Sequence, residues 1–234
     1  MTGMHAKGRR VTGAHLIALV ALAFVVGCIG ASFPRINEDL VEGMRIRGEP
    51  AGWHMRGDTP GVKPEYLDVY MDGKVRREGE RSACLLALDA FNKDWATLMQ
   101  SFSAEPYRGK RVRFSGEVRV NHVSGWTGLW MGTDSRDKQD TMLDDMTNRR
   151  IRGTVDWTRH EIVLDVPIDA VVISIGVHLH GMGQVWLDDC AFAVVDAAVP
   201  LTEAQPAPRP REVVIPRLLP EEPQNLDFEL SYIE

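Results

Sequence analysis

Apolar and polar side chains alternate along the middle of the chain, in the pattern of strands with one buried face. Between Arg111 and Val120 the alternation of apolar and polar positions keeps the same phase throughout. The apolar set is Val112, Phe114, Val118 and Val120. A second run with the same period carries Val171, Ile173, Ile175, Val177 and Leu179. A period of two predicts antiparallel strands that bury one side and expose the other.

Shorter runs extend this pattern towards the amino terminus. Residues 65–70, 81–88 and 95–103 show shorter stretches of the same alternation, and turn residues at Gly109, Gly125, Gly153 and from Gly181 to Gly183 separate the later runs. A helix over residues 90–99 is the competing interpretation, but it lacks a sustained 3.6-residue period. The sequence therefore predicts an all-β fold, an antiparallel two-sheet β-sandwich over residues 45–196.

The amino terminus has the pattern of an export signal. Basic residues at 7, 9 and 10 precede an uncharged apolar run over residues 16–30. This run is shorter than the roughly 20 apolar residues of a typical transmembrane helix. We predict a signal peptide or membrane anchor over residues 1–33 and a linker over residues 34–44. Because Val25-Val26-Gly27-Cys28 resembles the lipobox of bacterial lipoproteins, lipidation at Cys28 is one outcome. An uncleaved transmembrane anchor and free secretion are the others, and all three place the remainder outside the cytoplasm.

Charge narrows the choice of partner. The net charge is −6, and residues 1–27 hold three basic residues and no acid, so an exported form is more acidic still. Nucleic-acid binding depends on neutralising phosphates. We therefore predict no nucleic-acid partner.

The carboxyl-terminal part is unlike the middle. Seven prolines fall within residues 197–224, which predicts an extended Pro-rich linker. Beyond it, Leu226, Phe228 and Leu230 alternate with polar residues, and burying them would be favourable. Residues 225–234 are predicted to be a terminal strand that docks on the sandwich, and the alternative is that this segment is a truncated second copy of the opening strand that leaves the tail loose.

Several motifs resemble a known family. They are Gln100, Gly109-Lys110, residues 112–116, residues 185–189 and Phe192. Together they resemble the galactose-binding-like jelly roll shared by many carbohydrate-binding modules. The segments 125–131 and 156–158 are similar to bacterial modules of this kind appended to regulators and to carboxyl-terminal processing peptidases. The resemblance implies a jelly roll over residues 50–196, and this superfamily serves sugar binding, protein binding and scaffolding alike.

The resemblance also implies a structural calcium ion. Members usually begin with Asn-x-x-Phe-Glu, whose Glu often joins a late pair of Asp residues around the metal. Here that motif lies at the other end of the chain, at residues 225–229, and the late pair is Asp188 and Asp189. The expected ligands are therefore Asp188, Asp189 and Glu229. The alternative is that one Asp binds backbone amides and the other is solvated.

Aromatic and imidazole side chains form the predicted ligand-binding surface. Trp126 and Trp130 share one strand face opposite Leu129, and His178 and His180 share the face opposite buried aliphatic residues. Two indoles and two imidazoles on one concave face suit stacking on a sugar and bonding to its hydroxyls. Alternatively, one or both tryptophans pack under a loop.

Two further sets of side chains, a cysteine pair and an acidic loop, are candidate sites. Cys84 and Cys190 fall in predicted core strands, and an exported chain can oxidise them to a disulfide or keep two buried thiols. Five aspartates between residues 134 and 145 could serve glycoside hydrolysis, but nothing sets two of them at a working distance.

The sequence thus predicts a non-catalytic binding module of the cell envelope, with carbohydrate as the leading ligand. An accessory or scaffolding lipoprotein that binds an envelope protein is the alternative. A hydrolase that uses the acidic loop is a third hypothesis.

Overall fold

The structure is a computed structural model that describes residues 45–57, 67–88, 95–135, 142–202 and 218–231. The predicted signal segment, the linker after it and the lipidation site at Cys28 lie outside these ranges. Within them, no helix is long and apolar enough to cross a membrane.

The described residues form ten strands and one turn of 3₁₀ helix, so the all-β prediction is confirmed. In chain order they are β1 (Arg45–Arg47), β2 (His54–Gly57), β3 (Leu67–Asp72), β4 (Ser82–Ala87), β5 (Trp95–Ser103), the 3₁₀ turn (Glu105–Tyr107), β6 (Arg111–Ser135), β7 (Met142–Asp144), β8 (Ile151–Asp165), β9 (Ala170–His180) and β10 (Gly183–Val195). Each pairing between these strands is antiparallel. The alternative of a helix over residues 90–99 is wrong for residues 95–99, because they belong to β5, and residues 90–94 lie outside the described ranges.

A single long strand joins the two layers of the sandwich. Strand β6 has 25 residues and lies at the centre of the order β1-β3-β4-β10-β6-β9-β5-β2. Its first half pairs with β10 and β8, and its second half pairs with β9 and β7. The register shifts between Val118 and Thr127, and such irregularities let a strand bend from one layer into the other. The predicted two sheets are therefore hydrogen-bonded into one continuous sheet.

We call β1, β3, β4, β10, β8 and the first half of β6 the first layer. The second layer is β2, β5, β9, β7 and the second half of β6. Phe114 and Leu187 from the first layer and Leu129 and Ile175 from the second are fully buried in one hydrophobic cluster. Burial of these apolar sides stabilises the sandwich and turns the alternate residues outwards.

The carboxyl-terminal residues pack onto the domain. We call residues 218–231 the clasp. The ring of Phe228 is fully buried and lies 4.9 Å from the ring of Trp53. The Trp53 indole N–H donates to the carbonyl of Asn225 at 3.0 Å, and the amide of Cys190 donates to the carbonyl of Leu226 at 3.0 Å. The clasp is thus part of the folded domain.

The clasp is not the strand that the sequence predicts. Asn225 and Phe228 have φ angles of +47° and +58°, which a strand does not allow. The Asn225 side chain accepts from the amide of Leu230 and donates to its carbonyl, which closes a turn. The β pairing of the clasp is limited to an isolated bridge between Ser231 and Pro50. Because of the turn, Leu230 remains 62% exposed while Phe228 is buried.

Candidate functional site

Four rows of side chains cross the outward side of the second layer, which we call the outer face. The register of β5, β9 and β6 aligns three residues in each row. The rows are Trp95-His180-Trp126, Thr97-His178-Gly128, Met99-Gly176-Trp130 and Ser101-Ser174-Gly132. All four residues of the predicted ligand-binding surface therefore lie on one face, and their role in binding stays a prediction.

The Trp130 side chain is fixed across strand β9. Its indole N–H donates to the hydroxyl of Thr97 on β5 at 2.7 Å, and that hydroxyl donates to the carbonyl of Val177 at 2.9 Å. Space for the indole depends on Gly176, since a Cβ there would lie 2.8 Å from the Trp130 ring nitrogen. Trp130 is half-buried, so it is an ordered aromatic surface in the middle of the outer face.

Trp126 is packed by its neighbours. Its ring stacks on His180 with a centroid distance of 4.3 Å and an interplanar angle of 6°, and it meets the edge of His178 at 4.5 Å. The guanidinium carbon of Arg150, from the turn after β7, lies 4.5 Å from the Trp126 centroid. The alternative in which a tryptophan packs under a loop therefore describes Trp126 in part, and Trp130 is the better stacking surface.

The two histidines of the outer face favour the neutral state. His178 is 7% exposed, and burial lowers its pKa to about 3, with His180 and Arg150 adding to the decrease and Asp145 opposing it. Burial, followed by Arg150, also lowers the pKa of His180. The buried Nε2 atom of His178 has no hydrogen-bond partner among the described residues. Neutral imidazoles can donate and accept hydrogen bonds at neutral pH.

Sequence reasoning missed three residues of this face. Trp95 and Thr97 continue the outward set of β5, so the alternation against Leu98 was a sufficient signal for both. Arg150 has no such signal, because it lies in a turn whose path depends on the pairing of β7 with β6.

The structure gives Asp188 a role in loop structure. One carboxylate oxygen accepts from the amides of Arg77 at 2.6 Å and Glu78 at 3.1 Å, and the other accepts from the amide of Asp189 at 2.8 Å. Burial raises the pKa of Asp188, while these backbone hydrogen bonds oppose the increase. This agrees with the alternative in which one Asp binds backbone amides.

The remaining expected calcium ligands are also occupied. Asp189 pairs with Arg159 at 2.7 Å, and Glu229 accepts from the amides of Glu80 at 2.6 Å and Arg81 at 3.2 Å. Across the described ranges, no group of three or more His, Cys, Asp or Glu residues could hold a metal ion. A calcium ion needs six to eight oxygen ligands. Since N–H groups point at these carboxylates, the set does not fit the ion.

The structure agrees with the alternative of two buried thiols and not with a disulfide between Cys84 and Cys190. Cys84 and Cys190 are both free and buried. Cys84 pairs with Trp186 on the outward side of the first layer, whereas Cys190 belongs to the hydrophobic cluster between the layers. The sheet therefore separates the two thiols, and burial raises the pKa of each.

Asp144 and Asp145 of the acidic loop have structural roles, whereas Asp137 and Asp140 lie outside the described residues. Asp144 is buried and pairs with Arg149 at 2.6 Å, and Asp145 accepts from the amide of Thr147 at 3.0 Å. These contacts shape the turn after β7. They do not place two carboxylates across a cleft as glycoside hydrolysis requires.

Comparison with known proteins gives one relative in sequence. No protein-family model matches the chain. The uncharacterized HTH-type transcriptional regulator YbfP of Bacillus subtilis (strain 168) is 37% identical over 179 residues, which is 76% of this chain and 56% of the relative. The match thus spans little more than half the length of the relative.

Comparison with solved structures gives distant similarities. The CBM22-1 xylan-binding domain of Paenibacillus barcinonensis Xyn10C has a TM-score of 0.45 and 17% identity, over 64% of this chain and 90% of that domain. The enzymatically active domain of tailspike protein 4 of bacteriophage CBA120 has a TM-score of 0.48 and 11% identity, over 62% of this chain and 20% of that one. Carbohydrate-binding modules are the class that the sequence motifs resemble, but at these values no ligand can be transferred.

Proposed function

We propose that the protein is a non-catalytic binding module that takes a carbohydrate on the outer face. The observation that carries the proposal is the Trp130 indole, fixed across β9 by its hydrogen bond to Thr97. The C–H face of a sugar ring stacks on an indole, and a fixed indole loses little entropy on binding.

The neighbouring rows add polar and aromatic groups to this surface. Trp95 and the stacked pair of Trp126 and His180 lie on the same face, two rows from Trp130. The strands of this face lie in the order β2-β5-β9-β6. Adjacent strands are about 4.8 Å apart, so the distance from the first to the last of the four is roughly 14 Å. A surface of that width suits an oligosaccharide.

Replacement of Trp130 by alanine is expected to weaken oligosaccharide binding roughly two- to twelvefold, because one aromatic stacking contact contributes on the order of 0.5–1.5 kcal/mol. Isothermal titration calorimetry against a broad oligosaccharide panel measures this. Trp157→Ala on β8, outside the outer face, is the matched control. Equal affinities for both variants, with both folded by thermal unfolding, would contradict the proposal.

A protein-binding scaffold is the second candidate. Among the described strands, β8 pairs only with β6, and its residues 152–156 are exposed. An exposed strand edge can accept a strand from a partner protein. Failure of the wild-type protein to bind any oligosaccharide in the same panel would favour this candidate.

Export and membrane anchoring stay predictions of the amino-terminal sequence. An exported or anchored chain would present the outer face outside the cytoplasm, where envelope carbohydrates occur. The relative's name describes a transcriptional regulator, and the described part of this chain contains no helix beyond the 3₁₀ turn. We infer that the part of this chain shared with the relative includes the β-domain.

A further inference from the structure

Two basic side chains lie at opposite edges of the outer face that carries Trp130. Arg56 on β2 is exposed and directly pairs in register with Thr97, the residue that holds the Trp130 ring nitrogen. Arg150 is exposed on the other side and lies over Trp126. Arg56 therefore lies beside the row of Thr97 and His178 at the β2 edge. Arg150 lies over the neighbouring row at Trp126 on β6, so the two guanidinium groups border the aromatic surface at opposite edges of the outer face.

The acidic groups near this face are already bonded to the chain's own residues. Glu49 accepts from the amide of Met55 at 2.7 Å and lies 3.4 Å from the His54 ring. Asp145 accepts from the amide of Thr147, and Asp134 lies beyond the last of the four rows.

Neither arginine is neutralised by the described part of the chain. Arg56 and Arg150 make no ion pair with a described carboxylate, whereas Arg111, Arg113, Arg119 and Arg159 on the first layer each do. The chain as a whole has a net charge of −6, so these two arginines without a described ion pair are a local feature of the outer face.

We propose that the outer face selects a carboxylate-bearing oligosaccharide, with uronic acid units stacked on Trp130 and their carboxylates bound by Arg56 or Arg150. This inference rests on the proposed function and names its ligand class. A guanidinium presents two parallel N–H groups that match a carboxylate, and such charge-assisted pairs are stronger than neutral hydrogen bonds. The acidic remainder of the surface opposes indiscriminate capture of polyanions.

The test compares each acidic ligand with its own neutral form. Calorimetry uses oligogalacturonate and oligomannuronate, each beside its carboxyl-reduced counterpart, at low and high salt. The wild-type protein is expected to bind at least one acidic form about tenfold more tightly than its reduced form, and less so at high salt. Arg56→Gln and Arg150→Gln are each expected to reduce that preference several-fold.

Arg113→Gln is the matched control, since it removes one positive charge from the first layer and leaves the outer face intact. It is expected to retain the preference. Equal binding of acidic and reduced forms, unchanged by the arginine variants, would overturn this inference and leave the proposed function standing. Binding of no acidic form while neutral oligosaccharides bind would do the same, whereas binding of no oligosaccharide at all would overturn both.

Discussion

Replacing Phe228 with alanine is expected to lower the free energy of unfolding by about 3–5 kcal/mol, the usual cost of truncating a buried phenylalanine. The ring is fully buried against Trp53, and its loss would leave a cavity between the clasp and the sandwich. Urea unfolding followed by tryptophan fluorescence measures the change. An effect of this size would show that the domain extends to residue 228, beyond the proline-rich segment.

The control for this variant lies two residues away. Leu230→Ala removes an apolar side chain from the same segment, but Leu230 is 62% exposed, so we expect a change within about 0.5 kcal/mol. If Phe228→Ala were as mild as Leu230→Ala, the clasp would not be docked in solution.

Stability is expected to fall with decreasing pH below about 6.5, and His178 should carry a large part of the loss. Its pKa is lowered from 6.5 to about 3 in the folded protein, chiefly by burial. Between these values the unfolded state binds a proton that the folded state does not, so stability increases with pH in this window. One protonation of this kind costs up to about 1.4 kcal/mol per pH unit.

Urea unfolding at pH 7, 6, 5 and 4 measures this dependence. His178→Gln removes the titrating group from the outer face, and its stability is expected to depend less steeply on pH than that of the wild-type protein. His54→Gln replaces an exposed histidine and is expected to keep the wild-type slope. Identical slopes for all three proteins would show that His178 is accessible to protons in the folded state.

Much of the fold could be predicted because a strand that is buried on one side has alternating apolar and polar residues in its sequence. Val112, Phe114, Val118 and Val120 alternate without interruption, and all four are buried. The same rule placed Trp126, Trp130, His178 and His180 on outward positions. It extends to Trp95 and Thr97, which the sequence reasoning did not use.

Other features depend on contacts between distant parts of the chain, which periodicity does not record. The path of the clasp follows from the turn that the Asn225 side chain closes. The separation of Cys84 from Cys190 follows from a register shift in β10 between Asp188 and Ala191. Arg150 reaches the outer face only because β7 turns the chain back over β6.

The use of Asp188 shows why a family motif can mislead about chemistry. A pair of adjacent aspartates can bind either a cation or a set of backbone amides, because a cation supplies a positive charge and an amide N–H supplies a partial positive charge. The sequence does not show which of the two faces the pair. Here the amides of Arg77 and Glu78 take that place, so the carboxylate positions a loop.

The most direct test of the binding surface is to follow the indole N–H signals of all six tryptophans by NMR during titration with an oligosaccharide that binds in the calorimetric panel. We expect the largest shifts at Trp130, with smaller shifts at Trp95 and Trp126, and none at Trp53, Trp157 and Trp186. Shifts concentrated at Trp157 or Trp186, with Trp130 unchanged, would place the binding surface on the first layer and contradict the proposed function.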